Sequence, residues 1–69
     1  MPISGKDTIK RLQKQHGFHV SRQRGSHVVL VAYKNDKKYI TVVPLHKELR
    51  IGTLRSIAKL ADVPLSDLQ

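Results

Sequence analysis

Apolar and polar positions along this 69-residue chain change period several times, and each change marks an element. From Gly5 to His16 the apolar stripe is narrow, Ile9 and Leu12, with Lys6, Lys10 and Lys14 on the wet side; that spacing predicts an amphipathic helix. Ser4 with Asp7 suits an N-cap and its partner, and Gly17 a left-handed stop. Phe18 to Arg24 switches to alternation, Phe18 and Val20 against His19 and Ser21, which is a strand signal. Gly25-Ser26 places glycine first in a two-residue hairpin turn, as type II′ requires. His27 to Tyr33 is a β-branched run, "KNDKK" a turn, and Tyr39 to Val43 a third strand. Pro44 should stop the sheet, because it donates no ladder hydrogen bond. Leu54, Ile57, Ala58 and Ala61 then return to helical spacing, predicting a second helix from about Thr53 to Ala61 and one short turn in the tail "DVPLSDLQ".

The order α-β-β-β-α predicts an α+β domain over residues 1–69, a three-stranded antiparallel sheet with two helices packed on one face. A two-residue turn at Gly25-Ser26 would pair Arg24 with His27, Arg22 with Val29, Val20 with Val31 and Phe18 with Tyr33. All eight side chains would share one face, with Phe18, Val20, Val29 and Val31 as core. The other face, Val28, Leu30 and Ala32, is too apolar for solvent, so either something covers it or the pleat is reversed; a one-residue bulge would exchange the faces.

The charge is strongly and unevenly basic. Lys and Arg exceed Asp and Glu by 13 to 5, a net charge of +8, and no acid lies between Asp7 and Asp36. Such a field attracts polyanions, with nucleic acid as the leading partner. Cysteine is absent, which excludes a disulfide framework and a cysteine zinc site. No apolar run is long enough for a membrane helix, and Met1 to Ser4 has no signal-peptide character, so a cytoplasmic protein is expected.

Asp7, Asp36, Glu48, Asp62 and Asp67 are scattered over a cap, a turn, a loop and the tail. They form neither the converging carboxylates of a metal nuclease nor the facing pair of a glycosidase. No cofactor or metal site is expected. Acid–base chemistry near neutral pH is left to histidine. His16 in the last helical turn suits the helix dipole, and His19 alternates outward. For His46, in the loop after the third strand, a structural or RNA-contacting role is the simpler reading, with accessory acid or base chemistry as the alternative. His27 follows the turn, faces Arg22 and Arg24 and borders the predicted core, where its ring could be part-buried with one nitrogen free. On the residues alone, an exposed cross-strand histidine remains the simpler reading.

"RQRGSHVVL" (Arg22 to Leu30), preceded by "HGF" (His16 to Phe18) and followed by "VPLH" (Val43 to His46) and "GTLRSIAK" (Gly52 to Lys59), resembles the HicA toxins. These are mRNA interferases of type II toxin–antitoxin modules. Val28 and Val29 stand where another His and an Ile are common in that family. The resemblance implies a double-stranded-RNA-binding-domain-like fold, an active-site histidine in the element Gly25-Ser26-His27, an mRNA substrate and a HicB-like antitoxin partner. Together with the scattered acids it points to metal-independent cleavage through the 2′-hydroxyl of RNA. His27 would be the catalytic base, and Arg22 or Arg24 would neutralise charge on the phosphorane. Ser26 would orient the phosphate or simply form the turn, and Lys10 and Lys14 would contribute phosphate contacts. Two other readings fit the same residues. One is a non-catalytic RNA-binding module of the double-stranded-RNA-binding-domain type. The other is a protein-interaction domain that meets an acidic partner.

Overall fold

Ser4 opens the first helix, α1 (Gly5–His16), by accepting the Asp7 backbone N–H on its Oγ at 3.0 Å, in a computed structural model that describes residues 3–69. Gly17, at φ 68°, terminates it as the sequence predicts. The chain continues through β1 (His19–Arg24), β2 (His27–Lys34), β3 (Lys37–Pro44) and α2 (Ile51–Ala61), then a 3-10 turn at Leu65–Leu68. This is the expected α+β order. Helix α2 begins at Ile51 rather than Thr53: Ile51 and Gly52 are exposed, so the core periodicity starts only at Leu54. Pro44 is included in β3, which is tolerable because β3 is an edge strand in the order β1-β2-β3.

Both hairpin turns follow from local chemistry. Gly25 alone has positive φ (56°) in the first turn, the type II′ pattern, whereas Asn35 and Asp36 both do (50° and 64°) in the second, the type I′ pattern. The register of the first hairpin departs from the sequence expectation. Arg24 pairs with His27 and Arg22 with Val29, but the register shifts between Val20 and Arg22, so Val20 pairs with Leu30 and His19 with Val31. A β-bulge at Ser21 therefore separates Phe18 and Val20 from the arginines, to opposite faces of the sheet. The core face of the central strand is Val28, Leu30 and Ala32, all nearly inaccessible. Of the alternatives the sequence left open, the reversed pleat holds: Val29 and Val31 turn to the face opposite the helices, where Val31 is still only 6% exposed, while Val20 stays on the helix side with Phe18 but is 46% exposed.

Both helices lie on that face. Leu12 of α1, Leu54, Ile57, Ala58 and Ala61 of α2, and Leu68 of the tail join Phe18, Val28, Leu30 and Val43 in one cluster. Each fully buried Leu or Ile contributes about 1.5–3 kcal/mol relative to an exposed one. Buried polar atoms are paired: the Thr41 hydroxyl donates to the Ile57 carbonyl (3.1 Å) and the Thr8 hydroxyl to the Ser4 carbonyl (2.9 Å). Lys34 is a structural cation. Its ammonium donates to the Ala61 carbonyl at 2.9 Å, at the C-terminal end of α2, and lies 5.2 Å from the ring centroids of Phe18 and Tyr39.

At Gly5 the chain has no room for a side chain. A Cβ there would stand 2.0 Å from the Pro44 carbonyl oxygen, part of the β3 exit that passes under the start of α1. Gly5→Ala is expected to destabilise the protein by about 1–3 kcal/mol, as overpacking against backbone does. Gly52→Ala, where nothing lies within 4 Å, should raise stability by roughly 0.5–1 kcal/mol through helix propensity. Urea unfolding of both variants checks this; equal midpoints would show that the β3 exit yields freely.

Candidate functional site

The bulge and the two registers order the uncovered sheet face into rows. Arg24, His27 and Pro44 form the row nearest the first hairpin turn. Arg22, Val29 and Val42 form the next, His19, Val31 and Ile40 the third, and Tyr33 pairs with Lys38 at the far end. Directly opposed residues have Cβ atoms about 4.5–5.5 Å apart and diagonal ones about 7–8 Å, so Arg24 flanks the His27 imidazole and Arg22 lies one row away. His27, Arg22 and Arg24 are all exposed. The exposed cross-strand reading of His27 holds, and part-burial against the core does not: its side chain points away from the helical layer, and no element covers it.

The loop after β3 is tied to this end of the sheet. The Leu45 N–H donates to the Ser26 carbonyl at 2.7 Å, the Gly5 N–H to the His46 carbonyl at 2.9 Å and the Leu49 N–H to the Ile3 carbonyl at 2.8 Å. Three short backbone bonds thus fix the segment carrying His46, Lys47 and Glu48 between the hairpin turn and the start of α1. His46 and Lys47 are exposed there. Ser26 holds the loop through its backbone, and its side chain is free on the surface.

The predicted site residues separate into two groups. His27, Arg22, Arg24, Ser26 and the His46 loop come together at one end of the sheet. Lys10 and Lys14 do not join them, because they stand on the outer surface of α1, on the opposite side of the helical layer. His16 is half-buried and meets Asp67 at 2.9 Å, linking α1 to the tail, so its role is a tertiary bridge rather than a local cap. Among the described residues no Lys or Arg side chain lies within ion-pair distance of an Asp or Glu carboxylate, so none engages Arg22 or Arg24. Asp36 lies at the opposite hairpin turn and Asp62 at the end of α2. Among the described residues no group of three His, Cys, Asp or Glu side chains could hold a metal ion.

Besides Val29 and Val31, which the sequence already placed beside His27, the face carries His19, Lys38, Ile40 and Val42, so that Val29, Val31, Ile40 and Val42 form an aliphatic strip. Alternation would have found His19 only if the bulge at Ser21 had been known. The strip is open along β3, where Ile40 is 45% and Val42 38% exposed, and closed at its centre, where Val31 is 6% exposed. The face thus combines a histidine and two free guanidinium groups at one end with an apolar centre and a basic rim.

No helix among the described residues is long and apolar enough to cross a membrane. Comparison with curated proteins finds no match. A family model described as the HicA toxin of bacterial toxin–antitoxin matches residues 5–63, from the first residue of α1 past the end of α2. With most of its length matched, including the whole sheet and the Gly25-Ser26-His27 turn, the chain belongs to the HicA toxin family of bacterial toxin–antitoxin systems.

Proposed function

We propose that this toxin is a metal-independent endoribonuclease that cleaves mRNA, with His27 as general base and a HicB-like antitoxin as its inhibitor. One observation carries the reading: an exposed imidazole has Arg24 opposite it and Arg22 in the next row, on a face that no helix covers. A phosphodiester laid against these guanidinium groups finds planar donors for its oxygens and a nitrogen base within reach of the neighbouring ribose.

The steps follow from that placement. His27 takes the proton of the 2′-hydroxyl, and the 2′-oxygen attacks the adjacent phosphorus. Negative charge accumulates on the non-bridging oxygens of the phosphorane, where Arg22 and Arg24 stabilise it. The bond to the 5′-oxygen breaks, and that oxygen receives a proton, leaving a 2′,3′-cyclic phosphate and a 5′-hydroxyl. His46 is the proton donor in this scheme, supported by the backbone bonds that hold its loop against the turn preceding His27. DNA has no 2′-hydroxyl and is not a substrate.

The same face supports the partner assignment. Its apolar centre and its free cations suit an antitoxin surface with acidic groups around an apolar core, which would exclude RNA by occupying the row of His27. The enzymatic reading is tested by incubating the pure protein with a long RNA in EDTA. Cleavage should persist, with 2′,3′-cyclic or 3′-phosphate ends and 5′-hydroxyl ends. A strict requirement for Mg²⁺ or the appearance of 5′-phosphate ends contradicts attack by the 2′-oxygen. Binding without any cleavage favours the non-catalytic RNA-binding alternative.

A further inference from the structure

We propose that α1 carries a second RNA-binding surface, separate from the sheet face, on which Lys6, Lys10 and Lys14 grip the phosphate backbone of double-helical RNA. The proposal rests on the reading of the protein as an RNA-directed toxin and extends it to RNA structure. Helix α1 turns Gly5, Thr8 and Leu12 into the core, and the three lysines lie on the side directly opposite. They recur every four residues, so their attachment points climb the helix in steps of about 6 Å and span about 12 Å. All three are exposed, and among the described residues no carboxylate pairs with any of them.

Lys14 in the last turn suits the helix dipole, but the rest of this ladder runs against the local electrostatics of the helix. Like charges at i and i+4 destabilise a helix, and the row contains two such pairs in succession. Lys6 also stands in the first turn, at the positive end of the helix dipole, where an acid is favoured. A row of phosphates relieves both conflicts at once. Lys10 and Lys14, with Asp7, Arg11 and Gln15, line a shallow open depression along the helix, and Lys6 stands outside it. Arg11 is engaged by the Gln69 carbonyl, which leaves the lysines as the free cations of this surface.

The chemistry favours a duplex over a single strand. Single-strand binders stack bases on aromatic side chains, and α1 has no Phe, Tyr or Trp, while its His16 is half-buried against Asp67. A straight helix instead holds its charges in a fixed line, which matches the regular phosphate path of a duplex and reads no sequence. Both layers of the domain lie between the ladder and His27, so one phosphate cannot touch both. An RNA stem held on α1 would instead raise the effective concentration of its flanking single strand at the sheet face.

The test uses the full chain carrying His27→Ala, so that binding is measured without cleavage. Its affinities for an RNA hairpin stem and for an unpaired RNA of equal length are followed as salt is raised. Changing Lys6, Lys10 and Lys14 together to Gln should weaken stem binding and reduce its salt slope by about 0.9 per lysine, the value for phosphates on a double helix. Binding of the unpaired RNA should change much less. Changing all three to Arg should preserve the slope, and Arg22→Gln with Arg24→Gln should give the reverse pattern, weakening the unpaired RNA more than the stem. A wild-type slope in the triple Gln variant, or equal losses for both RNAs, overturns the proposal. Because no arm depends on cleavage, failure of the nuclease reading is distinguishable from failure of this one.

Discussion

RNA cleavage by His27→Ala should fall by about 10²–10⁴-fold, the range that a positioned general base contributes. The melting temperature should barely move, because the imidazole is exposed and forms no part of the core cluster. RNA affinity should also persist, since Arg22, Arg24 and the lysines of α1 are untouched. The separation of these three readouts is the substance of the prediction. Wild-type toxicity from a well-expressed, folded His27→Ala protein would remove His27 from the mechanism and leave His46 or His19 as the base. Loss of cleavage together with loss of RNA binding would instead make His27 a contact residue. Arg24→Ala provides the complementary case. It should reduce turnover more than affinity, because its guanidinium is worth most when the phosphorane carries its extra charge.

Neutralisation by the antitoxin should fail in Ile40→Glu while toxicity survives. Ile40 is 45% exposed on the uncovered face, two rows from His27, so a carboxylate there costs the isolated toxin little. At the centre of an apolar interface it would be desolvated against an acidic partner, without a counter-charge. Loss of a central contact typically costs about 2 kcal/mol or more, which corresponds to roughly a thirtyfold weaker complex. Titrating cleavage with the antitoxin, alongside Lys38→Glu at the rim, checks this. The rim change should alter association rate and salt dependence more than the final affinity. Unchanged inhibition of Ile40→Glu places the antitoxin elsewhere and makes its action indirect.

Much of the architecture was legible in the sequence because it depends on short-range rules. The Ser4 cap, the Gly17 stop, the glycine of the first turn and the spacing of Leu54, Ile57, Ala58 and Ala61 each act within a few residues. Together they determined the α-β-β-β-α order. The opposition of Arg24 and His27 was legible for the same reason, since a two-residue turn dictates the pair that closes it. The ordered set of segments from "HGF" through "RQRGSHVVL" and "VPLH" to "GTLRSIAK" also carried the family resemblance, which the match over residues 5–63 bears out.

The faces of the sheet were decided only by tertiary structure. A strand pattern has period 2, and the bulge at Ser21 inverts it without leaving a mark in residue type, since serine is unremarkable in a strand or a bulge. Its consequence is functional. Because Phe18 turns into the core while Arg22 and Arg24 turn out, the arginines and His27 face solvent at the end of the aliphatic strip rather than edging the helix-covered core. The environment of His46 was equally out of reach of local reasoning. Its loop is held by Ser26, Gly5 and Ile3, residues distant in sequence, and Gly5 permits that contact only by lacking a Cβ. Sequence determined which groups could do the chemistry. Packing of the helices on one side of a bulged sheet decided which of them face the same way.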